Sequence, residues 1–370
     1  MKCKIIKMHR QIFSLALLIL LGLTSCATIP EREFGNYLTT FEQVRKASEL
    51  VLLDYAVAKK EKLVLEQGQA ATPSVRESAF QTNQIIVPEE AIDDVAIRLK
   101  AWEIVDAYNQ SLASLIAGNP EKTTDKTKIL LRTIVGFSGQ AIVSAASNIS
   151  PAFAALSGIA NEIGAIYEKN KILSVIEKVA PIINTQLIAQ MRRDSELFYQ
   201  VRYGLNNYRY QQINAKIGRR IAEFIKLAYA VNQESRNKSV LPMIKILNAN
   251  LATLAPSQTG VGFKPIELKP LIGNDNSAQT LAQLMDLKEQ ILLLIEQAKQ
   301  QDKVLAAYRQ LLGTYIRLLN ELDFQLKLML QVAQQQQPIE VLMANDFSDS
   351  VLRMRQAYLY YQNNQPQGVY

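Results

Sequence analysis

The sequence predicts an all-α protein, an elongated bundle of long antiparallel, coiled-coil-like helices. Three observations predict it. Glycine and proline are sparse, 15 and 12 in 370 residues, and most stand where helices would end. Apolar side chains recur at steps of three and four, the spacing that places them on one helix face. One such run is unusually long: Leu284, Leu287, Ile291, Leu294, Ala298, Gln301, Leu305, Tyr308, Leu312, Tyr315, Leu319, Leu322, Leu326, Met329 and Ala333. Only Gln301 is neither apolar nor aromatic, so a heptad seam holds for seven repeats. A helix over that span would be about 75 Å long at ~1.5 Å per residue and needs long partners to cover its stripe.

The chain opens on a leader. Lys2, Lys4, Lys7 and Arg10 form a basic start, and an apolar run over 12–23 follows, shorter than the roughly 20 residues of a transmembrane helix. Then comes Leu23-Thr24-Ser25-Cys26. This sequence resembles the lipobox of bacterial lipoproteins. The resemblance implies a signal peptide over 1–25, cleavage before Cys26, and acylation of the Cys26 thiol and its new amino group. The partner so implied is a lipid bilayer, reached through acylated Cys26. Ala27 stands where aspartate tends to retain lipoproteins in the inner membrane, so the resemblance points to the outer membrane, facing the periplasm or the surface.

Removing the leader changes the composition. It holds four of the 41 basic residues and none of the 34 acidic ones, leaving 37 against 34, a net +3. That balance gives no reason to expect nucleic acid, which selects a clustered basic face. His9 and Cys3 lie in the leader too, so the mature chain has no histidine, no free thiol and no disulfide. Its stability must come from packing, for which 345 residues suffice.

A tether over 26–35 is expected to lead into a single helical domain over 36–370. Its first helix covers about 36–67, and a polar stretch near 70–84 ends it. The next helix starts after Pro88 with Glu89, Glu90, Asp93 and Asp94, carboxylates suited to the positive end of a helix dipole. A calcium site is the alternative, but no loop of alternating oxygen ligands accompanies them. Ile92, Val95, Leu99, Trp102, Val105 and Leu112 form its apolar face, with Trp102 a core residue, and Gly118-Asn119-Pro120 closes it. The partner for the long seam is a helix over about 181–236. Its face runs Leu187, Met191, Phe198, Val201, Leu205, Tyr208, then shifts near 210–212 to Ile213, Ile217, Ile221, Phe224, Ala228, Val231. A helix near 241–254 and a loop with Gly260, Gly262, Pro265, Pro270 and Gly273 follow. Gln334 to Gln337 read as a frayed helix end. A last helix near 348–361 carries Tyr358, Tyr360 and Tyr361, expected to cap one end of the bundle.

Residues 133–161 contain no charge. Ser150 as N-cap and Pro151 at the first helical position divide them into two apolar arms of a hairpin, each too short to span a bilayer. Burial within the bundle is the simpler expectation. The alternative is a membrane-inserting hairpin led by Ile142, Val143, Phe153 and Leu156. In that layout, long helices around a mid-chain apolar hairpin, the chain is similar to long-helix pore-forming toxins, a likeness without shared motifs.

Catalytic signals are few. Without histidine there is no Ser-His-Asp or Cys-His catalysis and no histidine metal ligand. No phosphate-binding or dinucleotide glycine pattern occurs. Glu77-Ser78 and Glu234-Ser235 supply the Glu-Ser pair found in lytic transglycosylases, without that family's other motifs. The expectation is a non-enzymatic scaffold, spacer or adaptor, without cofactor or metal, whose long helices meet a protein partner or a second copy. A membrane-perturbing protein is the alternative, and a peptidoglycan-cleaving enzyme a remote one.

Overall fold

The computed structural model describes residues 31–70, 89–118, 121–122, 125–130, 132, 172–254, 263–268, 273–275, 277–335 and 344–365. Within them the protein is all-α. Its main helices are α1 (Glu31–Ala70), α2 (Glu89–Ile116), α3 (Ile172–Ile182), α4 (Ala189–Ala230), α5 (Leu241–Leu251), α6 (Ala278–Gln335) and α7 (Ala344–Asn364). Among the described residues the one strand-like feature is an isolated bridge between Val231 and Asp275.

Three boundaries differ from expectation. Helix α1 begins at Glu31, so residues 31–35 of the expected tether are helical. Phe34 and Tyr37, one turn apart, are both buried, and that burial favours extending the helix backwards. Second, Pro181 lies inside a helix and does not start one. Proline lacks the N–H that would bond one turn back. After Ile182 the six residues Ile183–Ile188 take the wider π pitch, and Thr185 Oγ1 donates to the Pro181 carbonyl at 2.7 Å. Third, the helix expected to reach 236 stops at Ala230. Asp275 inserts there: its N–H donates to the Ala230 carbonyl at 2.9 Å, and its carbonyl accepts the Asn232 N–H at 2.8 Å. Gly273 makes this approach possible, since a Cβ there would stand 2.0 Å from the Ala230 carbonyl oxygen. The expected end of α2 is borne out, with Gly118 in the left-handed conformation at φ 68°.

Packing divides the chain into two compact units. The first comprises Met1–Val57, Thr82–Leu197 and Gly313–Arg355, and the second Ala58–Gln81, Phe198–Leu312 and Gln356–Tyr370. The sequence suggests one domain over 36–370; α1, α4, α6 and α7 each supply a segment to both units.

In the first unit α1 and α2 run antiparallel. Tyr37 Oη donates to Asn109 Oδ1 at 3.2 Å, and seven residues of α2 earlier Phe41 meets Trp102, ring centroids 5.6 Å apart. Trp102 is a core residue, as its spacing predicts. Helix α2 buries a second stripe as well, Ile97, Ala101, Ile104 and Tyr108, which a single-face reading misses.

In the second unit α4 lies antiparallel to α6, and α6 to α7. Asn206 Nδ2 donates to the Gln301 carbonyl at 3.0 Å, and Gln300 Nε2 to the Asn364 carbonyl at 2.6 Å. Phe224, Ala228, Leu247, Leu284, Ile291 and Ile295 form the centre of its core.

The heptad seam of α6 is real. Of its fifteen positions, fourteen have described side chains; twelve are buried, and Leu294 and Leu305 are half-buried. Gln301, the polar exception, is buried too. A further stripe at seven-residue spacing, Val304, Leu311, Leu318 and Gln325, is also buried. The added stripe widens the face from a two-stranded seam to that of a helix in a bundle.

Candidate functional site

Most residues to which the sequence gives a functional role lie outside the described residues. These are the lipobox Leu23, Thr24, Ser25 and Cys26, the hairpin residues Ile142, Val143, Phe153 and Leu156, and the pair Glu77-Ser78. Glu234 and Ser235 are described. They form the first turn after the break at Val231: the Ser235 N–H donates to Asn232 Oδ1 at 2.9 Å, and Glu234 pairs with Lys238 at 2.7 Å, both side chains about three-quarters exposed. That is the environment of a solvated helix-end charge. Among the described residues no group of three or more potential metal-binding side chains converges, and no helix is long and apolar enough to cross a membrane.

Two constellations carry concentrated polar chemistry. The first is buried in the first unit. Arg98, on α2, holds both carboxylate oxygens of Asp194, on α4, at 2.6 Å from Nε and 2.9 Å from Nη2. Gln190 Nε2 adds a third bond to Asp194, at 2.9 Å. Nearby, Tyr315 Oη lies 3.0 Å from Ser48 Oγ. Ser48 donates its own proton to the Val44 carbonyl at 2.8 Å, so the tyrosine is the donor between them. Burial pushes the Tyr315 hydroxyl well above its usual range, against the weaker lowering effect of Ser48. The Asp194 carboxylate is committed to three donors and the Tyr315 proton is locked. The cluster fixes which turns of α1, α2, α4 and α6 face one another, and it offers no group ready to exchange a proton.

The second constellation is open. In the second unit Lys216, Arg219, Arg220 and Glu223 share one face of α4, at i, i+3, i+4 and i+7. Opposite them Gln290, Leu293 and Leu294 share a face of α6. Between the two helices lies a groove of about 470 Å³. Arg220 is paired with Glu223 at 2.6 Å, and Gln290 Nε2 donates to Asp286 at 2.7 Å. Lys216 and Arg219 are exposed and make no hydrogen bond or ion pair among the described residues. Leu293 is 62% exposed, the most exposed large apolar side chain of the described residues.

Sequence reasoning missed the groove. Charges at helical spacing on α4 read as a solvated face, and Leu293 falls one position beside the seam. Only the approach of α6 to α4 makes them neighbours. Comparison with protein-family models, curated proteins and solved structures finds no match to the chain.

Proposed function

We propose that this protein is a lipid-anchored, non-enzymatic scaffold, spacer or adaptor of the bacterial cell envelope, held at the outer membrane through acylated Cys26. The observation that carries the reading is the leader: a basic start, a short apolar run and Leu23-Thr24-Ser25-Cys26 in that order. Only a thiol in this position accepts a thioether-linked diacylglycerol. Several acyl chains anchor far more firmly than one, whose binding is marginal. A chain built from helices of 40, 42 and 58 residues suits the spacer role, and its exposed helix faces suit a protein partner or a second copy. The buried ion-pair cluster belongs to such a scaffold as a register device.

The test is the variant Cys26→Ala, expressed in a bacterial host fed a labelled fatty acid. The wild type is expected in the membrane fraction, labelled and shortened by its leader; the variant is expected unlabelled and uncleaved. Equal labelling of both proteins sinks the lipoprotein reading.

A membrane-perturbing role is the second reading, favoured by the uncharged run over 133–161. Processing removes Cys3 and acylates Cys26, so single cysteines at Ile142 and Leu156 are the only free thiols. Protection of both from a water-soluble reagent, with and without liposomes, supports the scaffold. Labelling by a lipid-phase probe only when liposomes are present, with dye leakage, supports the second reading.

A further inference from the structure

We infer that the groove between α4 and α6 is a binding site for a single anionic amphiphile, a molecule with one acidic headgroup and one aliphatic chain. The charge is the first argument. Three cations and one carboxylate line the groove, a balance of +2, and the carboxylate is already held by Arg220. Lys216 and Arg219 therefore present an ammonium and a guanidinium that no anion among the described residues answers. A guanidinium grips a carboxylate or phosphate through two parallel bonds, and an ammonium adds a point charge.

The apolar wall is the second argument. Leu293 and Leu294 stand across the groove from these cations, and Leu293 keeps 62% of its surface in solvent. A bare inorganic anion would leave that surface wet. An alkyl chain would cover it, at about 25 cal/mol for each Å² removed from water.

Size and composition favour a small ligand over the larger partners a basic surface suggests. A space of about 470 Å³ lies within the range of roughly 300–1,000 Å³ of small-molecule sites. No aromatic side chain lines it, so it offers no stacking platform for the bases of a nucleic acid. The site needs no lipid anchor at Cys26 and stands independently of the scaffold reading.

The test uses the full chain in a non-ionic detergent, with dodecyl phosphate carrying a photoreactive diazirine on its chain as probe. Crosslinks are expected on the peptides bearing Leu293 and Lys216 to Glu223, suppressed by excess unlabelled dodecyl phosphate. The double variant Lys216→Gln/Arg219→Gln should lower the labelling about tenfold at a fixed probe concentration, and Leu293→Asn severalfold. All three positions are exposed, so unchanged thermal melting should accompany both losses. Inorganic phosphate competing as well as dodecyl phosphate would mean an anion site without its apolar half and would overturn the proposal. Labelling that ignores the double variant, or falls on other peptides, would overturn it too.

Discussion

The tyrosines show what single residues contribute. Tyr37, Tyr108 and Tyr315 are buried, and burial raises each hydroxyl above the ordinary value of 10.0, because a phenolate cannot be solvated there. The consequence has a definite sign. Below pH 10 both folded and unfolded chains keep these protons, and the stabilisation is complete. Above it the unfolded chain releases them while the folded chain holds them, so stability falls as pH rises. Denaturant midpoints should be flat near neutrality and drop steeply above pH 10, with phenolate absorbance from these side chains appearing only on unfolding. A phenolate signal that titrates fully at pH 10 in the still-folded protein would show that these hydroxyls reach water. The same burial makes Tyr361 a core residue and not the bundle cap that the cluster of tyrosines in the last helix suggests. Its ring lies 5.1 Å from that of Tyr308, and the Arg202 guanidinium stands over both, 5.5 Å from Tyr308 and 5.4 Å from Tyr361.

At the scale of elements, the glycines of α4 and α6 make a clean experiment. Gly218 and Gly313 lie well inside these helices, and a Cβ at either would meet nothing within 4 Å. Neither glycine serves a turn or a close approach, so each only costs helix propensity. Gly218→Ala and Gly313→Ala should each stabilise the protein by about 0.5–1 kcal/mol, read as a raised denaturant midpoint with unchanged slope. A loss of stability at either position would reveal a conformational role for that glycine. Elements were also what the sequence made most legible. The seam of α6 was readable because a heptad repeats its own signal seven times. The ends of α3 and α4 were not. Proline is a common helix start, so Pro181 read as one, and nothing local announces that a π-helical turn will accommodate it. The stop at Ala230 depends on Asp275, 45 residues further on, and no local pattern carries that contact. The basic groove was illegible for the same reason, since its two walls lie on different helices.

At the scale of the molecule, the division into two compact units raises the question of whether they unfold together. Covalent continuity argues that they do. Helix α6 runs unbroken from Ala278 to Gln335, and the division falls between Leu312 and Gly313 within it. Helices α1, α4 and α7 are likewise unbroken where the chain passes from one unit to the other. Melting one unit alone would leave four helices frayed at a mid-helix residue, each with several unpaired backbone groups. Two substitutions test this from opposite sides. Asp194→Ala, in the first unit, strands the buried Arg98 guanidinium and should cost about 3–5 kcal/mol. Gly273→Ala, in the second, drives a methyl group into the Ala230 carbonyl and should cost about 1–3 kcal/mol. In differential scanning calorimetry each variant should move one shared transition downward, with its calorimetric and van't Hoff enthalpies still equal. Two resolved transitions, of which each substitution moves only its own, would show that the continuous helices do not couple the units.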